Sequence, residues 1–347
     1  MRTAAILPSR NEASTIAAVT TAVDSRGMVV VNADSSDSPD TTHRFTATTT
    51  RAAKVALTGL VRGKGAQILA AARRPELGDA DVVLIADTDT LNPDPAVYAA
   101  LIDRVRTGAA LAIADYPRHW DEANLTNHLA RPLIAATTGH DIPQPLAGDL
   151  ALSRTTLTTV LRAAEKLPEE LAACVNGYGI DAFLLLTATG PIASVRVDRP
   201  KEHAGSFPHL AAIYHQAVPV LLHLTTSRPP SPQADGGVPA AYRAADREIT
   251  PDRLQAMLTT LRESLGPSPD RYHEHPWPLP VAEAWQAVNS GTSPASSARA
   301  LWPYYIWRVH DWLADGQHAT TEHRVRQLAA AHTLLHTALH SPPGAHP

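Results

Sequence analysis

Cysteine is nearly absent: Cys174 is the one thiol in 347 residues. A single thiol excludes an intramolecular disulfide framework and any cysteine-built zinc or iron–sulfur centre, and it fits a reducing compartment. Long apolar runs are missing as well. Only Thr3 to Leu7 precedes Pro8 at the amino terminus, far short of a signal-peptide core, and no stretch approaches the roughly 20 residues of a membrane span. The expectation is a soluble, cytoplasmic protein without a membrane span. Charge of one sign is also lacking, since 30 basic side chains against 34 acidic ones give a formal net charge of −4. That balance offers no electrostatic footprint for nucleic acid.

Proline is plentiful, with 29 residues against an ordinary usage of about 5%. Much of it gathers in Arg228 to Pro239 and at the carboxyl end, which reads as linker and tail. Before that linker, short β-rich runs alternate with helical patterns: TAAIL, MVVV followed by a polar loop, VVLIA with a helix after Asp94, and ALAIA with a longer helix. Such alternation marks an α/β domain with a mostly parallel sheet flanked by helices. Beyond the linker, Pro251 to Leu265, Pro280 to Asn289, Ala300 to Ala314 and Thr320 to His340 show helical spacing only. The expected organisation is a catalytic domain over 1–227, a linker over 228–249 and a helical region over 250–347. Five of the 17 aromatic residues, Trp302, Tyr304, Tyr305, Trp307 and Trp312, concentrate in one helical segment. Their use is core packing or a subunit interface, with a stacking wall for an acceptor as the alternative, and a homodimer is an expected assembly.

In open α/β sheets, ligands bind at the carboxyl ends of strands, so the residues after each run carry the chemistry. Asp87-Thr88-Asp89 closes VVLIA, and carboxylates spaced by one residue on extended backbone point to one side, suited to a divalent cation. The structural alternative is a turn in which the aspartates bond nearby amides; position after a buried strand favours the cation. Arg62-Gly63-Lys64-Gly65 opens a helix, where glycine amides and a lysine converge on phosphate or, alternatively, form a simple turn. It is not a P-loop, which needs four residues between its glycines and a hydroxyl residue after the lysine. Lys201-Glu202-His203 follows the strand Ile192 to Val197, so His203 is placed to complete a cation site with Asp89 or, alternatively, to cap the strand as a surface histidine; the company of the other motifs favours the cation. His273 and His275 also have ligand spacing, but their proline-rich surroundings read as solvated loop. Asp181, after Gly177-Tyr178-Gly179, sits in a first helical turn, either complementing the helix dipole or entering a sugar pocket with Tyr178.

Taken in order, ILPSRNEASTI, VVNADSSDSPDTT, RGKGA, VLIADTDT, ARPLIAA, QPLAGDLALSR, GYGIDAFLLL and KEH resemble the retaining nucleotide-sugar glycosyltransferases of the GT-A fold, the group of glucosyl-3-phosphoglycerate synthase and mannosylglycerate synthase. The resemblance runs from Ala4 to Leu210. It implies that Pro8, Arg10, Glu12 and Asn32 meet the base and ribose, Lys64 the diphosphate, and Asp87 with Thr88 the ribose or sugar. It further implies Asp89 and His203 as ligands of Mg²⁺ or Mn²⁺, with Leu146, Ala147, Gly148 and Tyr178 bordering the donor sugar. Leu146, through its backbone, and Asp181 take the catalytic positions. The family's favoured mechanism has the acceptor hydroxyl attack the face that the diphosphate leaves, with a diphosphate oxygen taking the proton.

Departures cluster at the base and the acceptor. Asn32 replaces the usual Asp, and Asp181 replaces the synthase's glutamate. The acceptor loop, typically Gly-Arg-Val-Thr, reads Ala123-Asn124-Leu125-Thr126, and Gly205 stands where an asparagine is usual. Asn124, Thr126 and Gly205 are thus the expected acceptor-binding positions. Losing the arginine fork argues against 3-phosphoglycerate. The expected activity is metal-dependent hexose transfer from a UDP- or GDP-hexose to a different small hydroxylated acceptor, in specialised metabolism. A sugar-1-phosphate nucleotidyltransferase predicts a glycine-rich loop after the first strand, and PSRNEAST has none. A catalytically silent binding protein on the same fold is the other alternative, and retention of Asp87, Asp89 and His203 argues against it.

Overall fold

The computed structural model describes residues 1–25, 27–203, 207–227, 242–245, 249–265, 269 and 276–340. The strands are β1 (Thr3–Ser9), β2 (Met28–Asp34), β3 (Ala53–Leu57), β4 (Val82–Ile85), β5 (Leu111–Asp115), β6 (Arg118–His119), β7 (Leu150–Ser153), β8 (Ile192–Arg196) and β9 (Ala244–Ala245). Two compact units form, one from residues 1–116 and 146–205, the other from 117–145 and 206–347.

The first unit holds a seven-stranded sheet in the order β3-β2-β1-β4-β7-β5-β8. Every pair is parallel except those of β7, which runs against both β4 and β5. The apolar runs become its interior strands because β1, β4 and β5 are buried along their whole length, as strands covered on both faces must be. Helices α1 (Ile16–Val23), α2 (Asp40–Ala47), α3 (Lys64–Ala72) and α4 (Pro95–Arg106) follow the first four strands. On one face Leu7, Val30, Leu84 and Ala112 pack with Val19 of α1 and Tyr98 and Leu101 of α4. On the other, α3 lies against β1 and β2. The polar stretch after MVVV is more than a loop: Phe45, 1% exposed, anchors α2.

The second unit comprises α5 (Arg131–Thr138), α9 (Leu210–Thr226), α10 (Pro251–Leu265), α11 (Leu279–Asn289), α12 (Pro294–Gly316) and α13 (Thr321–His340), while α6 (Arg154–Ala164), α7 (Glu169–Asn176) and α8 (Ile180–Thr187) belong to the first. α12 starts six residues earlier than its apolar spacing implies, because the Ser293 side chain caps it by accepting from Ser296 N–H. The packing moves the division expected at 227. α9 joins the helical unit, where the Tyr214 hydroxyl donates to the Ala298 carbonyl at 3.0 Å and its ring stacks on Tyr305 at 4.8 Å. Tyr305 and Trp312 are buried at 0% and 4% exposure, and the Trp312 indole donates to the Trp120 carbonyl at 2.8 Å. Those two aromatics are core. Most of the 228–249 segment and the pair His273 and His275 lie outside the described residues.

Candidate functional site

The site is built where β1, β2 and β4 end. Asn11, at φ 61°, joins the loops after β1 and β2 by reciprocal bonds: its Nδ2 donates to Asp37 Oδ2 and its Oδ1 accepts from Asp37 N–H, both at 3.0 Å. Asparagine tolerates this left-handed turn better than most residues. Arg10 and Arg62 both reach the Asp37 carboxylate, Arg10 at 3.6 Å. The Ser9 hydroxyl donates to Asn32 Oδ1 at 2.6 Å, and the Thr88 hydroxyl donates to the Pro8 carbonyl at 2.6 Å. Pro8, Asn32 and Thr88 are therefore buried struts of the sheet edge, whereas Arg10 is half exposed.

Gly63 and Gly65 flank Lys64 for a steric reason. A Cβ at either would collide with the backbone carbonyl of Asn176 or Val175. Bare glycines let the start of α3 abut the Gly177 loop, and the Gly65 amide donates to the Gly177 carbonyl at 3.1 Å. That amide is thereby spent on the fold, contrary to the expectation that the glycine amides face phosphate. The close approach brings Lys64 to Asp181 in the first turn of α8, with Nζ 2.9 Å from each carboxylate oxygen.

From Asp181 a buried chain of alternating charge runs under the sheet edge. Lys64 Nζ is also 2.9 Å from Asp87 Oδ1; Lys201 Nζ lies 2.9 Å from Asp87 Oδ2 and 2.9 Å from Asp149 Oδ2. The Tyr116 hydroxyl ends the chain by donating to Asp149 Oδ2 at 2.8 Å, and Asp149 Oδ1 accepts from the Asp87 amide at 3.0 Å. Burial opposes the charge on Asp87, but the ammonium groups of Lys201 and Lys64 hold its carboxyl far below the usual range. Burial also opposes the charge on Lys64, and the carboxylates of Asp181 and Asp87 more than compensate, holding it protonated. Burial pushes Asp181 up against the pull of Lys64. A Cβ at Gly148 would collide with the Asp87 carboxylate, so QPLAGD places glycine beside the aspartate for room.

The second half of the site is a backbone clamp. Thr90 and His203 form an antiparallel bridge, Leu91 N–H donates to the Glu202 carbonyl at 2.8 Å, and Asn92 bonds both Pro200 and Glu202. The clamp fastens the loop of His203 to the turn of Asp89. Glu12, half-buried, faces the same turn: burial raises its carboxyl pKa, and the negative charges of Asp89 and Asp87 raise it further. Tyr178 is half-buried, and its hydroxyl feels Lys64, Arg10, Asp89 and Asp181. Among the described residues, no group of three or more His, Cys, Asp or Glu side chains forms a complete metal cage. One carboxylate and one imidazole suit a cation whose remaining ligands are substrate phosphates and water.

The structure thus gathers Arg10, Glu12, Lys64, Asp87, Asp89, Gly148, Tyr178, Asp181 and His203 into the first unit, with Leu146 and Ala147 just before β7. Asn124, 6% exposed, and Thr126, 7% exposed, lie in the second unit, where a π-helical turn spans Thr126–Ala130. Gly205 is outside the described residues. Sequence reasoning gave no role to Lys201, Asp149 or Tyr116, although the first two stand inside the motifs KEH and QPLAGD.

No family model matches the chain. Glucosyl-3-phosphoglycerate synthase of Mycolicibacterium paratuberculosis is 26% identical over 224 residues, 58% of this chain and 57% of that protein. The chain thus matches little more than half the length of this curated relative. Among solved structures, glucosyl-3-phosphoglycerate synthase of Mycobacterium tuberculosis with Mg²⁺ and uridine diphosphate has a TM-score of 0.52 at 26% identity, covering 68% of this chain and 82% of the other. The same enzyme with Mn²⁺, UDP-glucose and phosphoglyceric acid gives a TM-score of 0.51 at 26% identity, with the same coverage. The likeness to this GT-A nucleotide-sugar glycosyltransferase, inferred from the order of motifs, is present in both sequence and fold.

Proposed function

We propose that this protein is a metal-dependent, retaining hexosyltransferase of the cytoplasm, moving a hexose from a nucleoside-diphosphate sugar, UDP- or GDP-linked, to a hydroxyl of a small acceptor. The observation that carries the reading is the clamp between the Asp89 turn and the His203 loop, set beside a lysine at a helix start and a buried carboxylate. Its relatives' complexes with Mn²⁺ or Mg²⁺, UDP-glucose and phosphoglyceric acid support the donor class. Asp89 and His203 would hold Mg²⁺ or Mn²⁺, which supplies positive charge against the departing diphosphate. Lys64, at the first position of α3, meets the same diphosphate with its ammonium and the helix dipole. Asp87 and Glu12 orient the ribose side, and Asp181 with Tyr178 binds hydroxyls of the sugar. In the transfer, the bond from the anomeric carbon to the diphosphate oxygen breaks as the acceptor oxygen bonds to that carbon on the same face. The acceptor proton goes to a diphosphate oxygen. Asn124 in place of an arginine favours an acceptor other than 3-phosphoglycerate, because an amide lacks the charge and fork that a phosphate rewards.

The test is a thermal-shift panel of UDP, GDP and their sugars with and without Mn²⁺. A nucleotide at 100 times its dissociation constant adds about 2.7 kcal/mol of apparent stability. The expected result is a metal-dependent shift with one base, abolished in Asp89→Ala; no shift with any nucleotide overturns the reading.

A further inference from the structure

Lys64 and Lys201 occupy the same buried chain of charges but differ in access. The Lys64 side chain is 16% exposed and begins a helix; that of Lys201 is 3% exposed, lies between Asp87 and Asp149, and has the Tyr116 ring 5.8 Å away. A diphosphate can draw Lys64 toward itself. Asp87 then keeps a single counter-ion, next to a second carboxylate, the fully buried Asp149, which already accepts from the Asp87 amide. The Lys201 ammonium, 2.9 Å from an oxygen of each, is then the cation that still bridges the two carboxylates. Lys201 also stands two residues before His203, inside the segment whose backbone is fastened to residues 90–92. Its side chain therefore ties that segment to Asp87 while its backbone is tied to residues 90–92.

We propose that Lys201 is a positioning residue of the metal half of the site: through Asp87 and Asp149 it keeps the Asp89 turn and the His203 loop assembled when Lys64 turns to the diphosphate. The proposal rests on the glycosyltransferase reading and assigns Lys201 a role distinct from binding the donor.

The experiment measures Mn²⁺ binding to the full chain by electron paramagnetic resonance at saturating UDP, with melting in EDTA as the control for folding. Lys201→Met should weaken Mn²⁺ binding by roughly 10- to 100-fold, the range typical of groups that orient metal ligands. Lys201→Arg, which keeps the charge, should recover most of it. A folded Lys201→Met protein that binds Mn²⁺ like the parent overturns the proposal, as does a Lys201→Arg protein no better than Lys201→Met. If Lys201→Met does not fold, the double variant Asp149→Asn with Lys201→Met removes the facing charge at the same time. It should show the same weakening, and parental Mn²⁺ binding in it overturns the proposal. Failure of the parent protein itself to bind Mn²⁺ with UDP sinks the glycosyltransferase reading, and the role of Lys201 with it.

Discussion

At the scale of single residues, the site is organised by sharing charge. Asp87 has two ammonium partners and Lys64 has two carboxylate partners, so no buried ion faces an apolar wall alone. Glu12 is the exception, since its neighbours Asp89 and Asp87 carry its own sign. A folded-state pKa raised above 4.5 makes the favourable contribution of Glu12 complete below pH 4.5 and lost as pH rises through the folded value. Glu12→Gln, neutral throughout, should therefore gain stability relative to the parent between pH 4 and pH 7, measured as urea midpoints in EDTA. A constant difference across that range would contradict the raised pKa, to which burial contributes most and the two aspartates add. Much of this was legible beforehand: Asp89, Lys64 and His203 follow apolar runs or open a helix, and strand ends are where side chains meet ligands. Lys201 and Asp149 were not, because their meaning lies in contacts with Asp87 across 114 and 62 residues of chain, which no local spacing encodes.

Elements explain why those contacts are possible. β7 runs antiparallel between β4 and β5, so Leu146 to Asp149, which precede it, arrive at the edge that residues after β4 occupy. The alternation of strand and helix made the parallel sheet readable. The run LALS is too short to declare its direction. The junction of α3 with the 176–179 loop is the other decisive contact, and it depends on glycine. Gly65→Ala drives a methyl group into the Val175 carbonyl and against Ile180. The expected loss is about 1–3 kcal/mol, the usual cost of overpacking, seen in denaturant midpoints. Nucleotide affinity should fall with it, since Lys64 is carried on the displaced turn.

For the whole molecule, the division into two units makes a spatial prediction. Hydrogen exchange on adding UDP with Mn²⁺ should slow in peptides covering residues 8–12, 34–37, 87–92 and 200–203, all from the first unit. Slowing centred on α10 to α13 would place the nucleotide elsewhere. Among the described residues, no helix is long and apolar enough to cross a membrane. The basic residues are overwhelmingly arginine: the chain has only four lysines, Lys54, Lys64, Lys166 and Lys201. Two of these are the ammonium groups of the charge chain, Lys54 donates to backbone carbonyls of Phe45 and Thr46, and Lys166 is exposed. Amine chemistry on these residues therefore has four side-chain addresses. Reductive ¹³C-methylation would turn that scarcity into a nearly empty spectrum, in which the exposed Lys166 reacts first. A signal from Lys64, shielded by Asp87 and Asp181, would then report directly on whether an anion has drawn it away.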